Sequence, residues 1–209
     1  MDSENREKAR GGLDGKRVLI LEARLTSVLA DLVDRRGGEA MCVPAVVEVE
    51  APPDEVAAPL SHLCRIGVDL IVLQTGVGTD RLHRQAAVLS LGDAYLEALR
   101  RIPVAVRGPK PTAVLHRWGI RPTIAAVSPY TTEEVCAALA GHPLSGKTVF
   151  VQHYGETNER LRDFLHGLGA TTVDALPYRW ALPEDLGPLR GAVEGLGRGE
   201  FDVLLVTSQ

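Results

Sequence analysis

The chain has 209 residues, of which 45% are hydrophobic, 24% charged and only 4% aromatic, with a net charge of −4. That balance describes a globular chain that buries a core without staples, and it argues against a segment that stacks bases on rows of aromatics or neutralises phosphates with a basic surface. Cys42, Cys64 and Cys136 are odd in number and scattered, with no CxxC pattern, so neither a disulfide framework nor a zinc site is indicated. Residues 1–10 lack the apolar core of a signal peptide and no run is long enough to span a bilayer, which places the chain in a reducing cytoplasm.

Residues 1–12 read as a disordered leader ending in Gly11-Gly12. Val18 to Leu21 is a short, continuous apolar run expected to form a strand buried on both faces, and Leu25, Val28, Leu29, Leu32 and Val33 follow at helical spacing. Gly37-Gly38 ends that helix. Met41 to Val49, running through Pro44, is predicted as one extended crossing strand, closed by Pro52-Pro53. A helix is expected over 54–65, then a buried strand over 69–75 ending in Gly76-Val77-Gly78, then one helical stretch from Thr79 to Arg100.

Pro103 to Val106 reads as a strand leading into Arg107-Gly108-Pro109-Lys110-Pro111-Thr112, whose prolines suit the first turn of a helix. A short strand is expected over 123–127, and a helix over 131–140 capped by Thr131 or Thr132. A strand over 148–153 and a helix over 158–168 follow. Leu176-Pro177-Tyr178-Arg179-Trp180 is a second proline-bearing crossing run. Alternation of strand and helix is the pattern of parallel α/β layers.

The chain also repeats itself. Leu13-Asp-Gly-Lys-Arg-Val-Leu-Ile-Leu21 and Leu144-Ser-Gly-Lys-Thr-Val-Phe-Val-Gln152 share Leu, Gly, Lys and Val at an offset of 131 residues. Pro44 and Pro177, and Leu63, Arg65 and Asp69 against Leu196, Arg198 and Asp202, share an offset of 133. The common order points to duplication. It predicts a lobe with two central strands near 18 and 203, a counterpart of Val104 to Thr112 lying beyond Gln209, and a chain cut within its last motif.

Ligands of doubly wound sheets settle beyond the carboxyl ends of the strands, where helix N-termini present amides to anions. Thr75 to Thr79, Arg107 to Thr112, His153 to Asn158 and Thr207 to Gln209 occupy that position. Gly76 and Gly78 suit a plain strand-to-helix turn equally well, and Arg81 stands where a dinucleotide fingerprint needs its third glycine. Arg107 and Lys110 are candidate anion binders, two cations beside a Gly-Pro turn. The six histidines show no metal-ligand spacing and read mostly as surface residues, His83 among them. No side-chain pairing marks an activated Ser or Cys. Tyr178 is a strand tyrosine by spacing, although a phenol is able to donate a proton to a leaving hydroxyl at neutral pH.

Taken together, Gln74-Thr-Gly-Val-Gly78, Val106-Arg-Gly-Pro-Lys-Pro-Thr112 with Trp118-Gly119-Ile120, Tyr154-Gly-Glu-Thr-Asn158, Leu176-Pro-Tyr-Arg179 and Asp202 to Ser208 resemble the uroporphyrinogen-III synthase family. The resemblance implies an α/β fold of two doubly wound parallel-sheet lobes joined by a two-stranded linker. The first lobe would be discontinuous, 13–42 with 178–209, and the second would be 45–174, with Tyr178 where the lobes face each other. It implies a cofactor-free, metal-free cytoplasmic lyase that dehydrates and closes the linear tetrapyrrole hydroxymethylbilane with inversion of its last ring. Acting as a monomer, it would have no nucleic-acid or membrane partner. Tyr178 matches the family's candidate acid, while Thr75, Gly76, Val77, Gly78, Arg107, Gly108, Lys110, Thr112, Tyr154, Gly155 and Ser208 would meet the substrate. Two other classes stay open: a non-catalytic sensor of a tetrapyrrole or other anion fused to a further module, and a generic α/β anion-binding protein.

Overall fold

A computed structural model describes residues 12–207. The predicted leader, Gly12 excepted, and Ser208 lie outside the described residues. The chain opens with β1 (Arg17–Ile20), α1 (Thr26–Asp34), β2 (Glu39–Cys42), β3 (Val47–Glu50) and α2 (Pro53–Ser61), the last running into a π-helical turn, His62–Ile66. There follow β4 (Leu70–Leu73), α3 (Gly76–Val88), α4 (Gly92–Arg101), β5 (Val104–Val106), α5 (Pro109–Arg117), β6 (Ile124–Ala125) and α6 (Thr132–Leu139). The rest is β7 (Thr148–Gln152), α7 (Glu159–Gly167), β8 (Thr171–Ala175), β9 (Tyr178–Ala181), α8 (Gly187–Gly197) and β10 (Val203–Leu205).

Two compact units result, Met1–Val47 with Trp180–Gln209, and Glu48–Arg179. In the second unit five parallel strands lie in the order β6-β5-β4-β7-β8. All four residues of β4 are buried, as a strand covered on both faces requires. Leu60, Leu63, Leu82, Tyr95, Leu99 and Leu115 cover one face from α2, the π-helical turn, α3, α4 and α5. Val135 and Leu139 of α6 with Leu161 and Leu165 of α7 cover the other. In the first unit three parallel strands lie in the order β10-β1-β2, with Val33 of α1 packed under Val18 and Ile20, and Ala192 of α8 against Leu19. The strands β3 and β9 form a separate two-stranded sheet. No helix among the described residues is long and apolar enough to cross a membrane.

The repeat is carried by the register. Val18 pairs with Val203 and Leu19 with Leu204, while their counterparts Val149 and Phe150 pair with Leu70 and Ile71. Before both strands stands a glycine with positive φ, Gly15 at 69° and Gly146 at 71°. Each donates its amide to the carbonyl of a second such glycine, Gly37 at 2.7 Å and Gly169 at 2.8 Å. The Leu-x-Gly-Lys signature is thus a turn that needs its glycine.

Several local expectations are corrected. The crossing run through Pro44 is two strands, not one: β2 belongs to the three-stranded sheet, giving the first unit a third strand, and β3 begins only at Val47. The second crossing run, Leu176 to Trp180, is strand from Tyr178 onward, where β9 begins after Leu176-Pro177. The long helix from Thr79 is α3 and α4, broken where Ser90 adopts φ 58°, a left-handed conformation that no helix continues through. The strand over 123–127 shrinks to Ile124–Ala125. Leu25, Val28 and Leu32 share an exposed face of α1, so its helical apolar spacing does not mark a core face throughout. Thr131 is the cap of α6, closed by the reciprocal bond from its own N–H to Glu134 at 2.8 Å.

Candidate functional site

The chain leaves β4 toward β5 on one side of the sheet, and the later β7 lies on the other, so the carboxyl ends of β4 and β7 form the topological switch point of the second unit. Each strand ends in a buried glutamine. Gln152 Oε1 accepts from the amides of Gln74 and Thr75, at 3.1 and 3.0 Å, and Gln74 Nε2 reaches Gln152 O at 3.1 Å. Asn158 ties this pair to α7: its Nδ2 donates to Gln74 Oε1 at 2.7 Å and to Thr132 Oγ1 at 2.9 Å, while its Oδ1 caps the helix at the Leu161 amide. Buried amide groups with this many partners are held in one geometry.

Thr75 caps α3 through its hydroxyl, which accepts from Gly78 N–H at 3.1 Å. The glycines that follow are there for space rather than for backbone freedom. A Cβ on Gly78 would fall 2.1 Å from Gln152 Nε2, and one on Gly76 would fall 2.8 Å from the Lys110 carbonyl oxygen. Val77 is half-buried in the same first turn, where helix amides lack intrahelical partners. Tyr178, at the start of β9, is 2% exposed. Its hydroxyl lies 3.4 Å from Thr75 Oγ1, and the Arg81 guanidinium stands over its ring, 4.8 Å from the centroid. Arg81 is paired to Glu48 at 2.9 Å, and Gln85, one turn on, holds the carbonyls of Ala51 and Pro177 at 2.7 and 3.2 Å. Together these contacts fasten both ends of the β3–β9 segment within the second unit to α3.

The second predicted stretch is also at a strand end. Arg107 N–H binds Leu73 O at 3.1 Å, and its guanidinium stacks on Tyr154, 4.4 Å from the ring centroid. Gly108 lies against Tyr130, whose ring a Cβ would approach to 3.1 Å. Lys110 is exposed. Thr112 turns its hydroxyl back onto Gly108 O at 2.9 Å, so its donor serves the helix start. With Pro109 and Pro111 in the first turn, α5 presents fewer amide donors than an ordinary helix N-terminus. Gly155, at φ 69°, bridges to Arg179 of β9. The structure thus brings Thr75, Gly78 and Tyr178 together, and Arg107 with Tyr154. Ser208 lies outside the described residues.

His153 is buried, against the expectation of a surface residue. Its Nδ1 accepts from Asn158 N–H at 3.0 Å, and its Nε2 lies 2.7 Å from Asp174 Oδ1. Burial pushes the Asp174 carboxyl up, but the His153 bond and charge with the Thr172 bond hold it below its ordinary value. In the first unit Thr207 and the Arg24 amide hold Glu22 low at the corresponding strand ends. His83 packs its ring at 4.9 Å from Trp118. Burial raises the thiols of Cys42, Cys64 and Cys136, leaving little thiolate at neutral pH. Gln152 and Arg81 escaped the sequence reading of the site. A polar residue closing the apolar run Val149 to Val151 is the available signal for Gln152; in sequence Arg81 shows only as a mismatch to a dinucleotide fingerprint.

A doubly wound parallel sheet with hydrogen-bonded polar side chains at its switch point, in one chain with a smaller parallel sheet, defines a duplicated α/β protein with a polar cluster at its strand ends. The chain belongs to the uroporphyrinogen-III synthase family: the family model described as Uroporphyrinogen-III synthase HemD matches residues 27–209. It is 33% identical over 174 residues to the uncharacterized protein YjjA of Bacillus subtilis (strain 168), a match covering 83% of this chain and 64% of that one. The chain therefore spans somewhat less than two thirds of that relative. Among solved structures, a mutant uroporphyrinogen III synthase from the extremely thermophilic bacterium Thermus thermophilus superposes with a TM-score of 0.75 at 25% identity, covering 91% of this chain and 71% of that one. The wild-type form gives 0.61 at 26% identity, over 91% and 71%.

Proposed function

We propose that the protein is a uroporphyrinogen-III synthase, a lyase that dehydrates hydroxymethylbilane and closes it with inversion of the last pyrrole ring. Family membership supports the substrate class, and one observation carries the chemistry: the Tyr178 hydroxyl lies 3.4 Å from Thr75 Oγ1 at the carboxyl end of β4, with the Arg81 guanidinium over the phenol ring.

The substrate is reactive, so little acid-base machinery is required. Tyr178 passes its proton to the terminal hydroxyl as the carbon–oxygen bond breaks, and water leaves while the pyrrole nitrogen supplies the electron pair. Arg81 over the ring and the hydroxyl of Thr75 stabilise the negative charge that builds on the phenol oxygen. The proton returns to Tyr178 when the closed ring becomes aromatic again. Left alone, the open chain closes to the uninverted isomer, so the main task is to hold a conformation in which the azafulvene is attacked at the substituted carbon, through a spiro intermediate. The substrate carboxylates fall to the first-turn amides of Gly76 and Val77, to Gly108 and Gly155, and to Arg107 and Lys110. On this reading no cofactor or metal takes part, and the enzyme works as a cytoplasmic monomer without nucleic-acid or membrane partner.

Freshly made hydroxymethylbilane tests the proposal. The inverted, type III macrocycle is expected as product; a type I product alone overturns it.

A further inference from the structure

The Gln152 carboxamide has an orientation that its neighbours dictate. Oε1 faces the N–H groups of Gln74 and Thr75, which can only donate, and Nε2 faces the His153 carbonyl oxygen, which can only accept. The second hydrogen on Nε2 is therefore left for Thr75 Oγ1, 3.3 Å away. Gly78 N–H reaches the same oxygen at 3.1 Å. A hydroxyl oxygen accepts two hydrogen bonds and donates one. With both acceptor places on Thr75 Oγ1 taken, its own hydrogen is directed along the remaining contact, to Tyr178 Oη at 3.4 Å.

We infer that Gln152 is a positioning residue: by donating to Thr75 it makes Thr75 the donor and Tyr178 the acceptor of that pair, so the phenol hydrogen is not spent on Thr75 and the phenol oxygen holds a donor as its charge builds. The functional part of this inference rests on the synthase reading. The direction of the hydrogen bonds does not. Gly78 is the residue that makes room for the arrangement, since any side chain there would displace Gln152 Nε2.

Gln152→Glu tests it in the full-length protein. Burial raises the titration of the new carboxyl, so the effect is read at the alkaline pH where tyrosines titrate: once ionised, the carboxylate still accepts from the amides of Gln74 and Thr75 but has no hydrogen to give, so the Thr75 hydroxyl turns to donate to it and Tyr178 loses an accepted bond. The titration of Tyr178, read as tyrosinate absorbance against the same background carrying Tyr178→Phe, is expected to move to higher pH. That shift is expected to shrink by more than half when Thr75→Val is already present, because the effect runs through the Thr75 hydroxyl; a shift of equal size in both backgrounds is a plain charge effect and overturns the inference. Both single variants should lower kcat about tenfold with KM within about twofold, and the double variant should be no worse than either. Thr75→Ser, which keeps the hydroxyl, should restore most of the kcat and of the titration shift that Thr75→Val loses. Unchanged kcat and titration in a folded Gln152→Glu protein also overturn it. The titration needs no substrate, so it reads the hydrogen-bond direction even in a protein that makes no type III product.

Discussion

Asp69 and Asp202 hold the same place in the two copies of the repeat. The Asp69 carboxylate accepts from Lys147 Nζ at 2.9 Å and from Thr148 N–H at 2.8 Å; that of Asp202 accepts from Lys16 Nζ at 3.1 Å and from Arg17 N–H at 2.8 Å. Each aspartate also returns its own amide to the partner strand, Asp69 to Thr148 O at 2.8 Å and Asp202 to Arg17 O at 2.9 Å. Each clamp joins the amino ends of two adjacent parallel strands, β4 with β7 and β10 with β1.

These clamps predict an acid-side stability profile. The Lys147 and Thr148 bonds hold Asp69 below its ordinary range, and the Arg17 amide and Lys16 do so for Asp202. A depressed carboxyl contributes stability that is full above its unfolded value, about pH 4, and is lost as pH falls through the lower folded value. Urea midpoints measured from neutrality downward should therefore drop below about pH 4, and Asp69→Asn with Asp202→Asn should flatten that drop. Both carboxylates are exposed, so added salt should flatten it too.

Tyr178→Phe removes one hydroxyl and leaves the ring under Arg81. Turnover of hydroxymethylbilane is expected to fall about tenfold, at the low end for a positioned acid because the substrate is reactive. The thermal midpoint should move little. Undiminished turnover in this variant would make Tyr178 a packing residue.

The two glycines of the β4–α3 turn should respond differently to alanine. At Gly76 the new methyl meets a backbone carbonyl that has no easy retreat, and a loss of about 1–3 kcal/mol in urea unfolding is expected. At Gly78 it meets the Gln152 carboxamide, whose displacement uncovers the buried amides of Gln74 and Thr75. Stability should fall by about 1–3 kcal/mol here too, but with turnover also falling as in Gln152→Glu, and the two losses measured side by side check the assignment.

Much of the sheet order was legible because buried parallel strands write themselves as unbroken apolar runs, as at Val18 to Ile20 and Leu70 to Leu73, and because Leu-x-Gly-Lys recurs before two of them. Boundaries were less so. Apolar residues through Pro44 look continuous in sequence, whereas strand pairing, a long-range property, divides that run in two. The break at Ser90 falls on a residue that is neither glycine nor proline, with Gly92 two positions on as its one local signal. At the site, Thr75, Arg107 and Tyr154 were recognisable from their place after strands. Gln152 was not, since its role depends on Thr75 and Gly78, which lie far from it in the chain.

Arg81 supports the same region by charge. Its side chain is 15% exposed and that of its partner Glu48 only 7%. Replacing it with methionine keeps much of the volume but withdraws this cation from a buried carboxylate, which should cost about 3 kcal/mol. Glu48→Gln in the same background should recover part of that loss, as measured by denaturant unfolding.

Directed ring closure is read most directly from the products. Incubated with freshly prepared hydroxymethylbilane, the full-length protein should give type III macrocycle in excess over the type I isomer that forms unaided, with the excess reduced in Tyr178→Phe. A product mixture no different from that of substrate left in buffer would contradict the account.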